Sequence, residues 1–412
     1  MGVLYPECTY VQADLLTGKN SVPIGCVLKN GVLRRALTAV ATSAAPITNI
    51  TYIKSYKSSQ VVLATTSNGK AQLALYSDAT KLSLVRNYTA ATPFSVEQRM
   101  SNNIDAVLFT DTYYVRLRNG GYNVGQAASG LMGGTIRCGR VFAGDNTDGY
   151  TVRWSGEGGY ADWTESIYGA GKAYLETAGG QIKQLFDFEG EIVIIRENGI
   201  TRFSASGTPE NFRVSSPGIP IPALCDKTAV LTKDGIMFCT EDGLYVYKGG
   251  NVRKLDGLIS SDIVNPVFAM LYMDKYYAVL GDSAKLARRV LYLYDIQNGI
   301  YQIADVPAYI LAEDAESLVA YGETATFRIL PQGNYTFMCG AYDFGTPSRK
   351  LVTELYADCD GGVSVSVSNG RYTRKVKAGG VTRLNMRGAK FTVTVTGSGE
   401  VRALKLKAEV RK

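Results

Sequence analysis

The sequence predicts an all-β protein: a β-propeller of about six or seven irregular blades followed by a small C-terminal β-sandwich-like module. The first observation is a cadence. A short apolar strand, a tight polar turn and a second, alternating strand recur along most of the chain. The copies are 61–75 (VVLATTSNGKAQLAL), 106–117 (AVLFTDTYYVRL), 141–154 (VFAGDNTDGYTVRW), 192–203 (IVIIRENGITRF) and 236–247 (IMFCTEDGLYVY), with looser copies at 276–294 and 318–330. The turns fall roughly 40–50 residues apart, the period of four-stranded blades. The second observation is turn chemistry. Asn68-Gly69, Asp148-Gly149, Asn198-Gly199, Asp242-Gly243 and Asn298-Gly299 are dipeptides that tolerate positive φ. The third is a change of texture after residue 344, where strict alternation replaces the blade pattern.

Taken in order, residues 1–46 read as an N-terminal arm with lead-in strands. Asn30-Gly31 before VLRRAL predicts a hairpin, and the Ala/Thr/Ser-rich stretch 38–45 predicts a linker. Residues 47–344 carry the blades. Helix signals are nearly absent; 260–271 predicts one short helix and 283–288 a helical turn. Residues 345–412 form the terminal module. GVSVSVSNGRYTRKVKA predicts a hairpin at Asn369-Gly370, and KFTVTVTGSGEVRALKLKAEVRK a second one at Gly397-Ser398-Gly399.

Composition narrows function. Hydrophobic residues make up 46% of the 412, enough for a sizeable core. There is no histidine, which removes His-based triads, His-ligated zinc and imidazole switches. The seven cysteines (Cys8, Cys26, Cys138, Cys225, Cys239, Cys339, Cys359) are scattered and contain no C-x-x-C, so buried free thiols in a reducing compartment are expected. The start, MGVLYPECTYVQADLL, has neither a basic beginning nor a long apolar run, and no stretch reaches the roughly 18 apolar residues of a membrane span. No cofactor, metal or membrane is expected. Tyr, at 27, outnumbers Phe, at 13, which suits both strands and interfaces.

The charge is uneven. Residues 345–412 hold 14 Lys and Arg against 5 Asp and Glu, a balance of +9, so the whole-chain +7 resides in this module. Arg371, Arg374, Lys375, Lys377, Lys405, Lys407 and Arg411 lie in its alternating strands and are the candidate contacts for an acidic partner or a protein interface. Lys405, Lys407, Glu409 and Arg411 share one strand face and Leu404, Leu406, Ala408 and Val410 the other. The competing reading is a solvated sheet face whose lysines block edge pairing.

Sites for chemistry are not apparent. Gly169-Ala170-Gly171-Lys172 falls short of a P-loop, because position 166 is Ser and 173 is Ala. Asp145-Asn146-Thr147-Asp148-Gly149 lacks the spaced ligands of a calcium loop and reads as a turn. Carboxylates such as Glu157, Asp162, Glu165, Glu197, Glu241 and Asp242 sit mostly at turns, and no catalytic residue is assigned. The two tryptophans, Trp154 and Trp163, fall in one unit, RWSGEGGYADW, and are candidate blade-packing aromatics.

That unit carries a resemblance. Arg140-Val141-Phe142-Ala143-Gly144, Trp154-Ser155, Asp162-Trp163 and the run from Gln184-Leu185-Phe186 to Arg202-Phe203 resemble the propeller proteins of bacteriophage tails, the tail nozzle or stabilisation proteins of short-tailed phages. Gly207-Thr208-Pro209-Glu210-Asn211-Phe212 and Asp343-Phe344-Gly345-Thr346-Pro347-Ser348-Arg349-Lys350 are similar to loops there, and the resemblance covers about 135–412. It implies a virion structural protein rather than an enzyme. Its expected place is a ring of copies of itself below the portal and adaptor, forming the channel for DNA exit, in a tail assembled in the bacterial host cytoplasm. Expected partners are those copies, the portal, adaptor and tail proteins, and genomic DNA in transit. A channel wall must avoid holding DNA, so the basic module is expected to face another protein or the outside. The alternatives are a receptor- or glycan-binding or glycan-degrading propeller at the tail tip, and a non-viral propeller interaction module.

Overall fold

The structure is a computed structural model. It describes residues 8–16, 21–24, 26–29, 32–35, 38–41, 50–56, 60–67, 70–76, 82–88, 94–100, 103–110, 113–118, 121–126, 128, 130–166, 169–215, 218–255, 266–281, 289–297, 299–304, 306, 308–314, 317–322, 325–330, 334–344 and 346–411. Among them are strands, two three-residue 3-10 turns and no α-helix. The chain forms two compact units, neither of them a continuous stretch. One is Thr42–Arg289 with Pro307–Thr326; the other is Met1–Ala41, Val290–Val306 and Phe327–Lys412.

The first unit is a wheel of propeller blades. Five antiparallel blades follow each other in sequence order, four of them four-stranded and the fourth with an added two-residue strand, Ile219–Pro220, paired to Gly199-Ile200. Blade 1 holds Ile50–Tyr56, Gln60–Ser67, Lys70–Tyr76 and Leu82–Tyr88, and blade 2 Phe94–Met100, Asn103–Phe109, Tyr113–Arg118 and Gly121–Gln126. Blade 3 holds Leu131–Arg137, Arg140–Asp145, Thr151–Trp154 and Gly171–Tyr174. Blade 4 holds Ile182–Phe188, Glu191–Arg196, Gly199–Ser204 and Arg213–Val214, and blade 5 Val230–Thr232, Gly235–Thr240, Gly243–Lys248 and Asn251–Lys254. Two hairpins, Pro266–Tyr272 with Lys275–Leu280 and Ile310–Asp314 with Ser317–Tyr321, supply the inner strands of two more blades. First strands lie side by side from blade 2 to blade 3, from blade 3 to blade 4, from blade 5 to the first hairpin and from that hairpin to the second, and Ile310–Asp314 packs against Ile50–Tyr56. The last inner strand therefore meets the first, which closes the ring.

Burial explains the cadence. Second strands are buried on both faces: every residue of Gly235–Thr240 is buried, as are the last five of Glu191–Arg196. Such strands must read as continuous apolar runs. Fourth strands face water and are polar, as in Asn251–Lys254. The quoted repeats are thus the second and third strands of each blade. Three cores fill the spaces between blades 2 and 3, 3 and 4, and 4 and 5.

The second unit contains a β-sandwich. Its two layers are stretches of one continuous sheet: one sheet layer runs Thr373–Val376, Val363–Ser368, Phe391–Gly397, Tyr335–Tyr342 and Ser21–Ile24, and the other includes Cys8–Asp14, Val401–Arg411, Lys350–Cys359 and Gly380–Gly388. Alternating residues fill the space between: Val363, Val365, Val367, Phe391, Val393 and Val395 from one side, and Val352, Leu355, Leu384, Met386, Leu404 and Leu406 from the other. The tail 345–412 does not close this sandwich alone. Tyr335–Tyr342, inside the segment expected to be propeller, belongs to it, and so do strands from the N-terminal arm.

Several expectations change. The second hairpin does not form. Phe391–Gly397 pairs with Val363–Ser368 and Tyr335–Tyr342, while Val401–Arg411 pairs with Lys350–Cys359 and Cys8–Asp14. Gly397-Ser398-Gly399 carries the chain from one sheet to the other, so both alternating strands bury an apolar face. The crossing is tight: a Cβ on Gly397, at φ +150°, would lie 2.2 Å from the Gly362 carbonyl oxygen. The first hairpin does form, with Ser368 opposite Thr373 and Gly370 at φ +84°. Cys26–Lys29 pairs with Val32–Arg35, while the expected turn at Asn30-Gly31 lies outside the described residues; Thr38–Ala41 is a strand rather than a linker and pairs with Thr326–Leu330. The helix expected at 260–271 is contradicted by the strand Pro266–Tyr272; the helical turn at 283–288 lies outside the described residues.

Candidate functional site

The two tryptophans occupy different inter-blade cores. Trp154 sits on the third strand of blade 3 and is buried. Its ring centroid lies 6.2 Å from Phe142, 6.1 Å from Phe203 and 5.3 Å from Phe212, so it fills the space toward blade 4. Trp163 packs toward blade 2, edge-on to Phe109 at 6.2 Å, with the Arg153 guanidinium 5.8 Å from its centroid. Its indole N–H donates to the Tyr160 carbonyl at 3.0 Å.

The loop between them is held by a buried arginine. Arg140 begins the second strand of blade 3 and donates to the carbonyls of Ser155 (3.0 Å) and Gly169 (2.9 Å). The Ser155 hydroxyl accepts the Val141 N–H at 2.9 Å, and the Gly156 N–H donates to the Asp162 carbonyl at 2.8 Å. Arg196 plays the same part beside blade 4, donating to the carbonyls of Gly180 and Glu176. A buried guanidinium of this kind ties loops and leaves little donor capacity for a ligand. Asp145–Gly149 is a turn held by its own carboxylates: Asp145 accepts the Thr147 N–H at 2.9 Å and Asp148 the Tyr150 N–H at 2.7 Å.

The seven basic candidates do not form one face. Lys375 stands on the outer face of one sheet, opposite Ser366. Lys405 and Lys407 stand on the outer face of the other sheet, in rows with Tyr356 and Asp14 and with Glu354. That second face is mixed in sign, and Lys407 approaches Glu354 at 3.9 Å. Arg402 on the same strand is held between Asp358 (3.2 Å) and Asp360 (2.7 Å). Arg374 reaches across the rim and donates to the Leu384 carbonyl at 2.9 Å. Arg371 sits at the hairpin tip over the Tyr372 ring, and Lys377 follows the edge strand. The side chain of Arg411 lies outside the described residues.

Two features had no sequence signal. Lys350 is fully buried, with its ammonium in a cage of carbonyls. Cys138 is exposed rather than buried, because it forms a two-residue turn with Gly139 at φ +47° and +71°. The other described thiols are shielded. Burial pushes Cys225 and Cys359 up to about 11, and Cys239 and Cys339 up to about 12. Since the thiolate is the nucleophile, iodoacetamide at neutral pH should label Cys138 before any of these four. Peptide mass spectrometry reads this, and equal labelling of Cys239 would contradict it.

Acid should weaken the wheel through its turns. The Gln181 N–H, followed by Lys183 at 3.1 Å, holds Glu197 below 4.5. The Thr240 hydroxyl, followed by Tyr245 and Lys254, holds Asp242 below 3.8. Folded values below unfolded ones stabilise fully above the unfolded pKa and lose that effect as pH falls through the folded one. The wheel should therefore melt progressively earlier below those values, and Glu197→Gln with Asp242→Asn should flatten the dependence.

No family model matches the chain, and no curated protein matches it. Solved structures similar to it include the extracellular domain of the putative one component system BT4673 from B. thetaiotaomicron. That match has a TM-score of 0.45 and 12% identity, and covers 85% of this chain and 46% of the other. The chain therefore spans less than half of that domain's length. The Neurospora crassa Pan2 WD40 domain is similar at a TM-score of 0.45 and 8% identity, covering 72% of this chain and 95% of the other. The propeller assignment rests on the blades and their ring order.

Proposed function

We propose that this protein is a structural component of a phage tail, a nozzle or stabilisation ring below the portal and adaptor through which DNA leaves the virion. One observation carries the reading. The residues behind the resemblance to tail propeller proteins serve to hold backbone. Arg140 grips the carbonyls of Ser155 and Gly169, the backbone at Asp162 closes the Gly-rich loop, and Lys350 cages the carbonyls of Thr346 and Ser348. Residues that hold backbone keep a part rigid, which is what a ring under mechanical load requires. Function of this kind depends on placement among copies of itself and neighbouring tail proteins, with no bond-making step. Antibody raised against the chain should decorate the tail vertex of purified virions of the phage that encodes it. Particles that lack the protein while remaining infectious would overturn the reading.

A further inference from the structure

The open side of the sandwich is a single-sign surface. Residues 361–399 contain seven Lys and Arg and no Asp or Glu. The edge strand of one sheet, Thr373–Val376, and that of the other, Gly380–Gly388, are consecutive and lie alongside each other. Three links hold them. Arg374 donates to the Leu384 carbonyl at 2.9 Å, the Asn369 amide to the Arg387 carbonyl at 2.9 Å, and the Lys377 N–H to the Thr382 hydroxyl at 3.2 Å. Along this side stand Arg371, Lys375, Lys377, Arg387 and Lys390, all exposed, whereas Arg383 stands opposite Glu354 and belongs to the mixed-sign face. Among the described residues no carboxylate makes an ion pair with any of them, unlike Arg402 and Lys407 on the other strands. Tyr372, 60% exposed, carries the Arg371 guanidinium over its ring.

Strand addition does not suit this edge. Two of its carbonyls are occupied by Arg374 and Asn369, and Asn385 at φ +48° sits where the register shifts. Bulges and charged side chains of this kind block edge pairing. A partner must then be held by side-chain charge. Protein interfaces are depleted in lysine and built round a core of aromatic and apolar side chains, whereas an uncompensated basic stripe is the footprint of a phosphate backbone.

We propose that this wall binds the phosphate backbone of double-stranded DNA without reading its sequence. The binding does not depend on the tail reading: purified protein and synthetic duplex test it, whereas virion labelling tests the other. Fluorescence anisotropy with the full chain and a duplex of about 30 base pairs, from about 25 to 200 mM salt, should give an affinity falling with salt. Contact with about four phosphates predicts a log–log slope near −3.6. Arg371→Glu, Lys375→Glu, Lys377→Glu and Arg387→Glu combined should weaken binding at least about tenfold and flatten the slope. The same four positions changed to Gln give a milder variant, and thermal melting confirms folding of both. Arg374 is left intact because its guanidinium holds the rim together. Lys405→Glu with Lys407→Glu, on the mixed-sign face, should change affinity less than about threefold. No binding at low salt, equal loss in the two sets of variants, or competition by polyglutamate as effective as by DNA would each overturn the proposal, the last by pointing to an acidic protein.

Discussion

Trp154→Ala should destabilise the wheel by about 3–5 kcal/mol, the range for truncating a large buried aromatic. The ring is 6% exposed and is surrounded by Phe142, Phe203 and Phe212, two of them from the neighbouring blade. Its removal leaves a cavity between two sheets whose second strands are rigidly paired, so the walls cannot collapse to fill it. Trp154→Phe should cost much less, because the indole N–H makes no hydrogen bond in this core and its loss leaves nothing unpaired. Gly171 supplies a cross-check. A Cβ there would stand 2.5 Å from Trp154 Cζ2. Gly171→Ala should therefore harm the protein when Trp154 is present and become tolerated in the Trp154→Ala background, a coupling that a double-mutant cycle measures. Urea midpoints at unchanged slope give each value. Trp163→Ala, at a half-buried position, should produce the smaller loss. Equal losses at Trp154 and Trp163 would contradict the packing described.

The sequence made the blades legible where burial is one-dimensional. Strands such as Ile236-Met237-Phe238 are apolar because both faces are covered, and Asn251–Lys254 is polar because it faces water; both patterns are local. Turn dipeptides at 148–149 and 369–370 were legible because positive φ restricts residue choice. What stayed hidden depends on partners distant in the chain. Thr38–Ala41 looks like a linker because its partner strand lies nearly 300 residues away. Gly397-Ser398-Gly399 has the chemistry of a hairpin turn, and only the need of both flanking strands to bury a face sends them to different sheets. The basic residues were visible as a charge excess. Their division into an uncompensated rim and a mixed-sign face required Asp14, Glu354 and the strand register. Arg140, Arg196 and Lys350 look like ordinary surface cations in the sequence; the carbonyls that hold them come from loops whose path it does not reveal.

Lys350→Met should destabilise the sandwich by about 3–5 kcal/mol, as loss of a buried, charge-assisted hydrogen-bond network does. The side chain is 2% exposed, and all three ammonium protons are used. It donates to the carbonyls of Thr346 at 2.5 Å, Ser348 at 2.8 Å and Ala389 at 2.7 Å. Burial pulls its pKa below 10.5, with Asp343 opposing the shift. Its backbone is locked in the ladder opposite Gly388 and Val410, so the chain cannot shift to find the carbonyls other donors. Methionine nearly matches the length and apolar stem of lysine but donates nothing. If the stem were what mattered, Lys350→Met would behave like the wild type and Lys350→Ala alone would be harmful. If the cage matters, both should fall together, because each leaves the same three acceptors unpaired. Hydrogen exchange locates the effect. Backbone amides from Thr346 to Leu351 should lose protection in both variants, while those of the wheel blades stay unchanged. Protection retained in Lys350→Met would mean that water satisfies the three carbonyls and that the ammonium is not the tie joining this loop to the strand end at Gly388.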